Sequence, residues 1–292
     1  MVLDIILLVI GLTGLIIASI IDIRSREVPD LLNYGLIIVG SAIHILNAII
    51  SSNFSALLST FLGFLALFVI ANLMYYSKQW GGGDAKLLMA TSIMFAQYPS
   101  VLLNFFSPSL QPFPFQMTLF INLLIVGSIY GLLYTIAIAY RNRKNFSGEF
   151  KAMITDKRLR FTKWFSGILS IVLLALIFIL DKALISPITV AMLVFVVGFP
   201  YLIVFVKAVE KGSMYKLLDV SRLTEGDWVA KDVVISGRKI YSNKSPGITK
   251  QQIQKLREYH IKKVLVKEGI PFVPSFLISI ILTLIFGNLI RI

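Results

Sequence analysis

Cysteine is absent from this chain of 292 residues, which excludes disulfides and thiolate metal sites. Histidine occurs only twice, and charged residues make up 15% of the chain, where soluble domains carry about 25%. That shortage of charge argues against an ordinary soluble enzyme. Residues 31–77, 87–140, 164–180, 183–206 and 269–290 contain no Asp, Glu, Lys or Arg at all. A helix needs about 20 apolar residues to cross the hydrocarbon core, so several of these runs suffice for one span and two of them for a pair. Disorder, a nucleic-acid-binding module and a disulfide-stapled secreted domain are therefore poor readings. The net charge of +13, in a chain that is 57% hydrophobic, fits basic loops on the cytoplasmic side of a membrane better than a nucleic-acid partner.

The first apolar segment, about 2–21, carries Asp4 in place of a basic leader region and runs into Asp22, so a retained helix is expected instead of a cleaved signal. Ser51, Ser52 and Asn53 split the run 31–77 into two helices. Ser107, Pro108, Ser109, Gln111, Pro112 and Pro114 split 87–140 into helices four and five. Helices six and seven are expected over 164–180 and 188–206 with Pro187 at the turn between them, and an eighth from Pro274 to about Ile290. Of the 28 Lys and Arg, all but Lys182 and Arg291 fall in the connections after helices one, three, five and seven. Those connections are expected in the cytoplasm, and both termini outside.

Residues 210–273 have soluble composition. Alternation at 228–230, 233–235 and 239–241, with Gly237 between the last two, predicts short strands, and 264–266 another. Thr249 followed by Gln252 has capping-box spacing and opens a helix with Ile253 and Leu256 on one face. The expected fold is an all-α polytopic membrane protein of about eight transmembrane helices with a small cytoplasmic α+β domain. Its parts are a membrane domain at 1–209, the α+β domain at 210–273 and a C-terminal transmembrane helix at 274–292.

Two carboxylates fall at one depth: Asp22 at the cytoplasmic end of helix one and Asp84 at the start of helix four. Membrane-edge carboxylates are costly to bury and are functional candidates. Aspartyl proteolysis needs such a pair, one ionised group taking a proton from water while its protonated partner donates to the scissile carbonyl. Gly81, Gly82 and Gly83 would let a substrate backbone approach Asp84 and offer positive φ where the turn needs it. Taken singly, each Asp also suits a solvated or paired structural role, and Asp84 suits a helix N-terminus. A proton- or ion-coupled transporter using Asp22 and Asp84 is the alternative function, and a membrane anchor displaying the soluble domain a third.

The string GGGDAKLL (81–88) resembles the GxGD signature of the type IV prepilin peptidase family. IDIRSREVPD (21–30) resembles that family's first aspartate motif, in which Pro and a second Asp follow seven residues on, and KEGIPFVPSFL (267–277) resembles the C-terminal region of archaeal members. The resemblance implies a catalytic pair of Asp22 and Asp84. The activity it implies is removal of short basic leaders from pilin-like or archaellin precursors at the cytoplasmic face of the cell membrane. Bacterial members carry a cysteine-bearing domain and also methylate the new N-terminus. This chain has no Cys and a short first connection, so a peptidase like the archaeal preflagellin and prepilin enzymes, without methylation, is expected. Presenilin-like proteases share GxGD, but Asp22 here follows Ile21 and not Tyr, and no PAL motif is evident.

The expected partners are these precursors and membrane lipid, with no nucleic acid, cofactor or metal. Glu27 and Asp30, beside Asp22, are candidates for reading a basic leader against the basic cytoplasmic face; Glu27 could instead balance Arg24 or Arg26, and Asp30 cap helix two. Lys86 either tunes Asp84 or reaches to headgroups. His44 and His260 are expected in core or surface roles, and Trp80 and Trp164 as interface anchors.

Overall fold

A computed structural model describes residues 2–110, 113–180, 187–235, 237–243, 245 and 247–290. Gln111, Pro112, Lys182 and Arg291, used above for the break before helix five and for the charge asymmetry, lie outside the described residues. The chain is mostly helical. Its elements run α1 (Val2–Ser25), α2 (Asp30–Ser51), α3 (Phe54–Tyr76), α4 (Gly82–Met94), a 3-10 turn (Ser100–Asn104), α5 (Phe115–Arg141), α6 (Arg143–Ile154), α7 (Lys157–Leu180) and α8 (Pro187–Val209). There follow β1 (Tyr215–Asp219), β2 (Trp228–Val229), β3 (Val233–Ile235), β4 (Arg238–Tyr241), α9 (Lys250–Glu258), β5 (Lys263–Lys267) and α10 (Val273–Phe286). Among the described residues, four helices are long and apolar enough to cross a membrane: α1, α2, α3 and α5.

Internal contacts divide the chain into two units, and residues 210–273 contribute to both. The first comprises Met1–Leu133, Leu223–Ile261 and Gly269–Ile292. The polar turn between α2 and α3 lies where expected: Ser52 closes α2 in the left-handed region, and the Asn53 side chain accepts the Ala56 N–H at 3.2 Å. The most buried residues of the first half of α2, Asn33, Leu36 and Gly40, form one helical stripe. Leu36 packs on Gly14 of α1, where an added Cβ would stand 2.8 Å from its side chain, and Gly40 packs under Ile93 of α4 at 2.6 Å. Small residues thus let α2 lie against α1 and α4 together.

Helix four is shorter than expected, stopping at Met94 and not at the Ser107–Pro114 break. The Thr91 and Ser92 hydroxyls turn back onto the carbonyls of Leu88 and Met89, and Pro99 then leads into the 3-10 turn. At 13 residues α4 is about 20 Å long, short of the ~30 Å hydrocarbon core. It is buried along most of its length, from Ala85 to Met94, against α2 and α3. The last helix, α10, also ends early, at Phe286 and not near Ile290, because Gly287 takes φ 73° and turns the chain. A side chain at Gly287 would collide with the Ser109 backbone, which pairs with the strand-like tail after α10. Asn122 of α5 ties that tail down: its amide donates to Thr283 Oγ1 and to the Gly287 carbonyl at 2.8 Å each, and its oxygen accepts the Leu289 N–H at 3.1 Å.

Within the same unit β3 and β4 form an antiparallel pair turned at Gly237, φ 78°. The Thr249/Gln252 capping box opens α9 as the spacing predicts, with Ile253 and Leu256 buried. The second unit, Tyr134–Arg222 with Lys262–Glu268, holds α6, α7, α8, β1 and β5. Strand β1, which alternation did not reveal, pairs antiparallel with β5, Tyr215 opposite Lys267 and Asp219 opposite Lys263. Helix α6 was also not anticipated; its composition is basic and its length only 12 residues, so it left no apolar run to recognise.

Candidate active site

Asp22 lies in the last two turns of α1 and is 5% exposed. Its carboxylate accepts the backbone N–H of Val273, the first residue of α10, at 2.9 Å. A helix N-terminus turns unpaired N–H groups and the positive end of its dipole toward an anion, so α10 is a natural seat for this carboxylate. The contact joins residues 251 positions apart through a backbone donor. No side-chain pattern announces such a bond, and sequence reasoning missed it. The one available signal was the resemblance of residues 267–277 to archaeal peptidases.

Asp84 is the third residue of α4 and half-buried. One of its oxygens accepts the Gly81 N–H at 3.2 Å, closing the first turn back on itself. Asp84 lies within the field of Asp22, so the charge of one acts on the other. Where two carboxylates act on each other in a partly dehydrated site, ionising both is more costly than ionising one.

Of the two uses expected of the glycines, positive φ is not taken up. None of Gly81, Gly82 and Gly83 has positive φ. Gly83 is needed for a close approach: an added Cβ would stand 3.2 Å from the Val28 backbone nitrogen. Val28 is 7% exposed and lies in the link between α1 and α2, where Arg26 takes φ 62°. The missing side chain at Gly83 therefore lets the strand of chain just after Asp22 close onto the helix start that holds Asp84. An added Cβ at Gly82 would meet only the Tyr75 ring, at an ordinary 3.5 Å.

Asp30 does not cap α2. Pro29 holds the cap position with no side-chain bond, and Asp30 is the first helical residue, paired with Lys86 Nζ at 2.5 Å. Lys86 thereby clamps the first turn of α2 to the first turn of α4, its ammonium also 5.6 Å from the Tyr34 ring. Glu27, in the link between α1 and α2, is exposed. Trp80 is not an interface anchor but a core residue, 9% exposed, with the rings of Phe272 and Phe276 at 5.7 Å and of Phe120 at 6.5 Å. That aromatic cluster fixes the start of α10 beside the glycine turn. Trp164 is exposed. His44 bonds the Ile93 carbonyl through Nε2 at 2.9 Å, as a paired core residue does. Among the described residues no group of three or more His, Asp and Glu is placed to hold a metal.

The helices that carry Asp22 and Asp84 fall in the part of the chain that is similar to known proteins. Residues 9–136, the segment that carries both aspartates, match the type IV leader peptidase family. The chain is 30% identical over 139 residues to a preflagellin peptidase of Methanococcus voltae, covering 47% of this chain and 58% of that one. It is 34% identical over 90 residues to a preflagellin peptidase of Methanococcus maripaludis, covering 31% and 39%, and 25% identical over 162 residues to the prepilin peptidase EppA of Methanothermobacter thermautotrophicus, covering 54% and 42%. The chain thus spans about half the length of the curated relatives it matches. No solved structure matches it.

Proposed function

We propose that this chain is an aspartyl endopeptidase that removes short basic leaders from archaellin-like or pilin-like precursors at the cytoplasmic face of the cell membrane. The observation that supports the reading is the close approach of Gly83, beside Asp84 at the start of α4, to the Val28 backbone in the link that follows Asp22, inside the segment that matches leader peptidases. In the proposed reaction the ionised carboxylate takes a proton from water as its oxygen attacks the scissile carbonyl. The protonated partner gives its proton to the carbonyl oxygen. Collapse of the tetrahedral intermediate breaks the C–N bond, and the proton taken from water passes to the leaving amine. Gly81, Gly82 and Gly83 shape the site around Asp84, and Glu27 attracts the basic leader. No methylation is expected, and neither a metal nor a cofactor enters any of these steps.

The membrane arrangement belongs to the same proposal. Helices α1–α5, α7, α8 and α10 mark the eight membrane segments, the short α4 and α10 completing their crossings with the chain that follows each, residues 210–273 lie in the cytoplasm, and both termini lie outside. The absence of cysteine makes this testable, because any introduced thiol is the sole target of a label. A cysteine replacing exposed Ser109 should react with an impermeant maleimide from outside, and one replacing Ser147 only after the cytoplasm is opened. Reversed labelling would overturn the orientation. The activity itself is tested by incubating the purified chain with a tagged precursor bearing a basic leader: a shift to the mature mobility is expected, and an unprocessed precursor would overturn the function.

A further inference from the structure

Asn33 is 0% exposed, and neither its amide nitrogen nor its oxygen has a hydrogen-bond partner. Burying a carboxamide with both ends unmade costs stability, commonly a few kcal/mol, and such groups in folded proteins call for a reason. Its position supplies one. Asn33 heads the buried stripe of α2 whose next members, Leu36 and Gly40, pack on α1 and α4, the helices that carry Asp22 and Asp84. It follows Asp30 by three residues, so it lies about 4.5 Å along the axis from the turn that Lys86 clamps to the start of α4. A second buried hydroxyl without a partner, Ser19, stands one turn before Asp22 on α1. Thr60, Thr118 and Ser279 also have buried hydroxyls without a partner, but Asn33 is the carboxamide of this kind on the helix that packs against both α1 and α4.

We infer that Asn33 is a substrate-positioning residue whose carboxamide pairs with a backbone peptide group of the precursor beside the scissile bond. The inference rests on the proposed peptidase function. An extended peptide entering a dehydrated helix bundle brings N–H and C=O groups that lose their water. A primary carboxamide presents one acceptor and one NH₂ donor in the geometry of a peptide unit, so it can satisfy both ends of one such group at once. The two halves are complementary: the free enzyme holds an unmade donor and acceptor, and the substrate arrives with the matching pair.

The test compares the unaltered full chain with Asn33→Leu and Asn33→Ala in detergent or nanodiscs. The substrates are one tagged precursor and versions in which an ester replaces single peptide bonds on either side of the cut. The variants should lose about 10-fold or more in kcat/KM, two neutral hydrogen bonds being forfeited, without any fall in Tm. One ester position should slow the unaltered chain several-fold and leave the variants no slower than they already are. Unchanged kcat/KM in both variants would overturn the inference alone. A lower Tm accompanying the lost activity would make Asn33 a structural residue. Slow variants with no ester position sensitive in the unaltered chain would mean that it serves something other than the peptide backbone. Failure of the unaltered chain to cut any precursor would overturn the proposed function, and this inference with it.

Discussion

Asn122 and Asn33 are the same side chain, each 0% exposed in the same unit, yet they are placed in opposite conditions. Along the seam of α5 and α10, Asn122 uses both amide atoms to hold Thr283, Gly287 and Leu289. Gln116, one α5 turn and a half earlier, likewise donates to the carbonyls of Thr60 and Ser92. In the corner of α1, α2 and α4 neither atom of Asn33 is used. A buried carboxamide is thus not one kind of residue. Where every bond is made it specifies a helix contact, and where none is made, as at Asn33, the capacity is, on the inference drawn above, held for an arriving peptide. The polar corner and the polar seam should therefore respond in opposite ways to the same changes.

The largest difference is expected from the close approach that brings the corner together. Gly83→Val puts bulk against the Val28 backbone and should push the α1–α2 link away from α4, lowering cleavage by about 10- to 100-fold, since displacements near 1 Å cost that much. Gly82→Ala, which meets only a ring edge at ordinary distance, should leave cleavage within about 3-fold of the unaltered chain. Similar losses in both would mean that the glycines matter for the turn and not for the approach; kcat/KM on one precursor decides it.

A smaller effect separates seam from corner by stability. Asn122→Leu strands the Leu289 N–H and the Gly287 carbonyl and should destabilise the protein by about 1–3 kcal/mol. Asn33→Leu should leave stability unchanged or raise it. Thermal unfolding of the two variants side by side checks this, and equal losses would erase the distinction.

The division between what the sequence reveals and what it conceals follows the range of the interactions. Local patterns were readable: the Ser51–Asn53 turn, the Thr249/Gln252 box, the strands at 228–241 and the two aspartates at one end of the helices. Contacts made by backbone atoms across long separations were not. Val273 N–H on Asp22 leaves no trace in residue type, and Trp80 reads as an interface residue until Phe272 and Phe276 are brought to it. Lys86 had two plausible tasks from its position, and a third, Asp30, was chosen by tertiary structure. The end of α4 was hidden because residues 87–106 carry no charged side chain to mark it. Asn33 offered one legible hint, a polar residue beginning a stripe that is otherwise small or apolar.

The smallest expected effect lies at the rim of the corner. Glu27 is exposed, whereas Asp30 is paired with Lys86, so of these two acids Glu27 is the more available to a basic leader. Glu27→Lys should raise KM for a precursor with Lys or Arg before the cut by about 1.4- to 5-fold, the range of an exposed ion pair of 0.2–1 kcal/mol, and added salt should shrink the change. A leader with Gln at that position should be indifferent. Asp30→Lys, which repels Lys86, should impair both leaders alike; a leader-specific effect there would return the recognition to Asp30.

The claim on which the rest depends is that Asp22 and Asp84 form the chemical centre. Asn is nearly isosteric with Asp but cannot exchange the proton the reaction needs. In purified membranes, with equal amounts of folded protein verified by unfolding, Asp22→Asn and Asp84→Asn should each reduce precursor cleavage by at least about 1,000-fold, consistent with removal of an acid or base that acts as a unit with its partner. Cleavage by either variant at a rate near that of the unaltered chain would contradict the account.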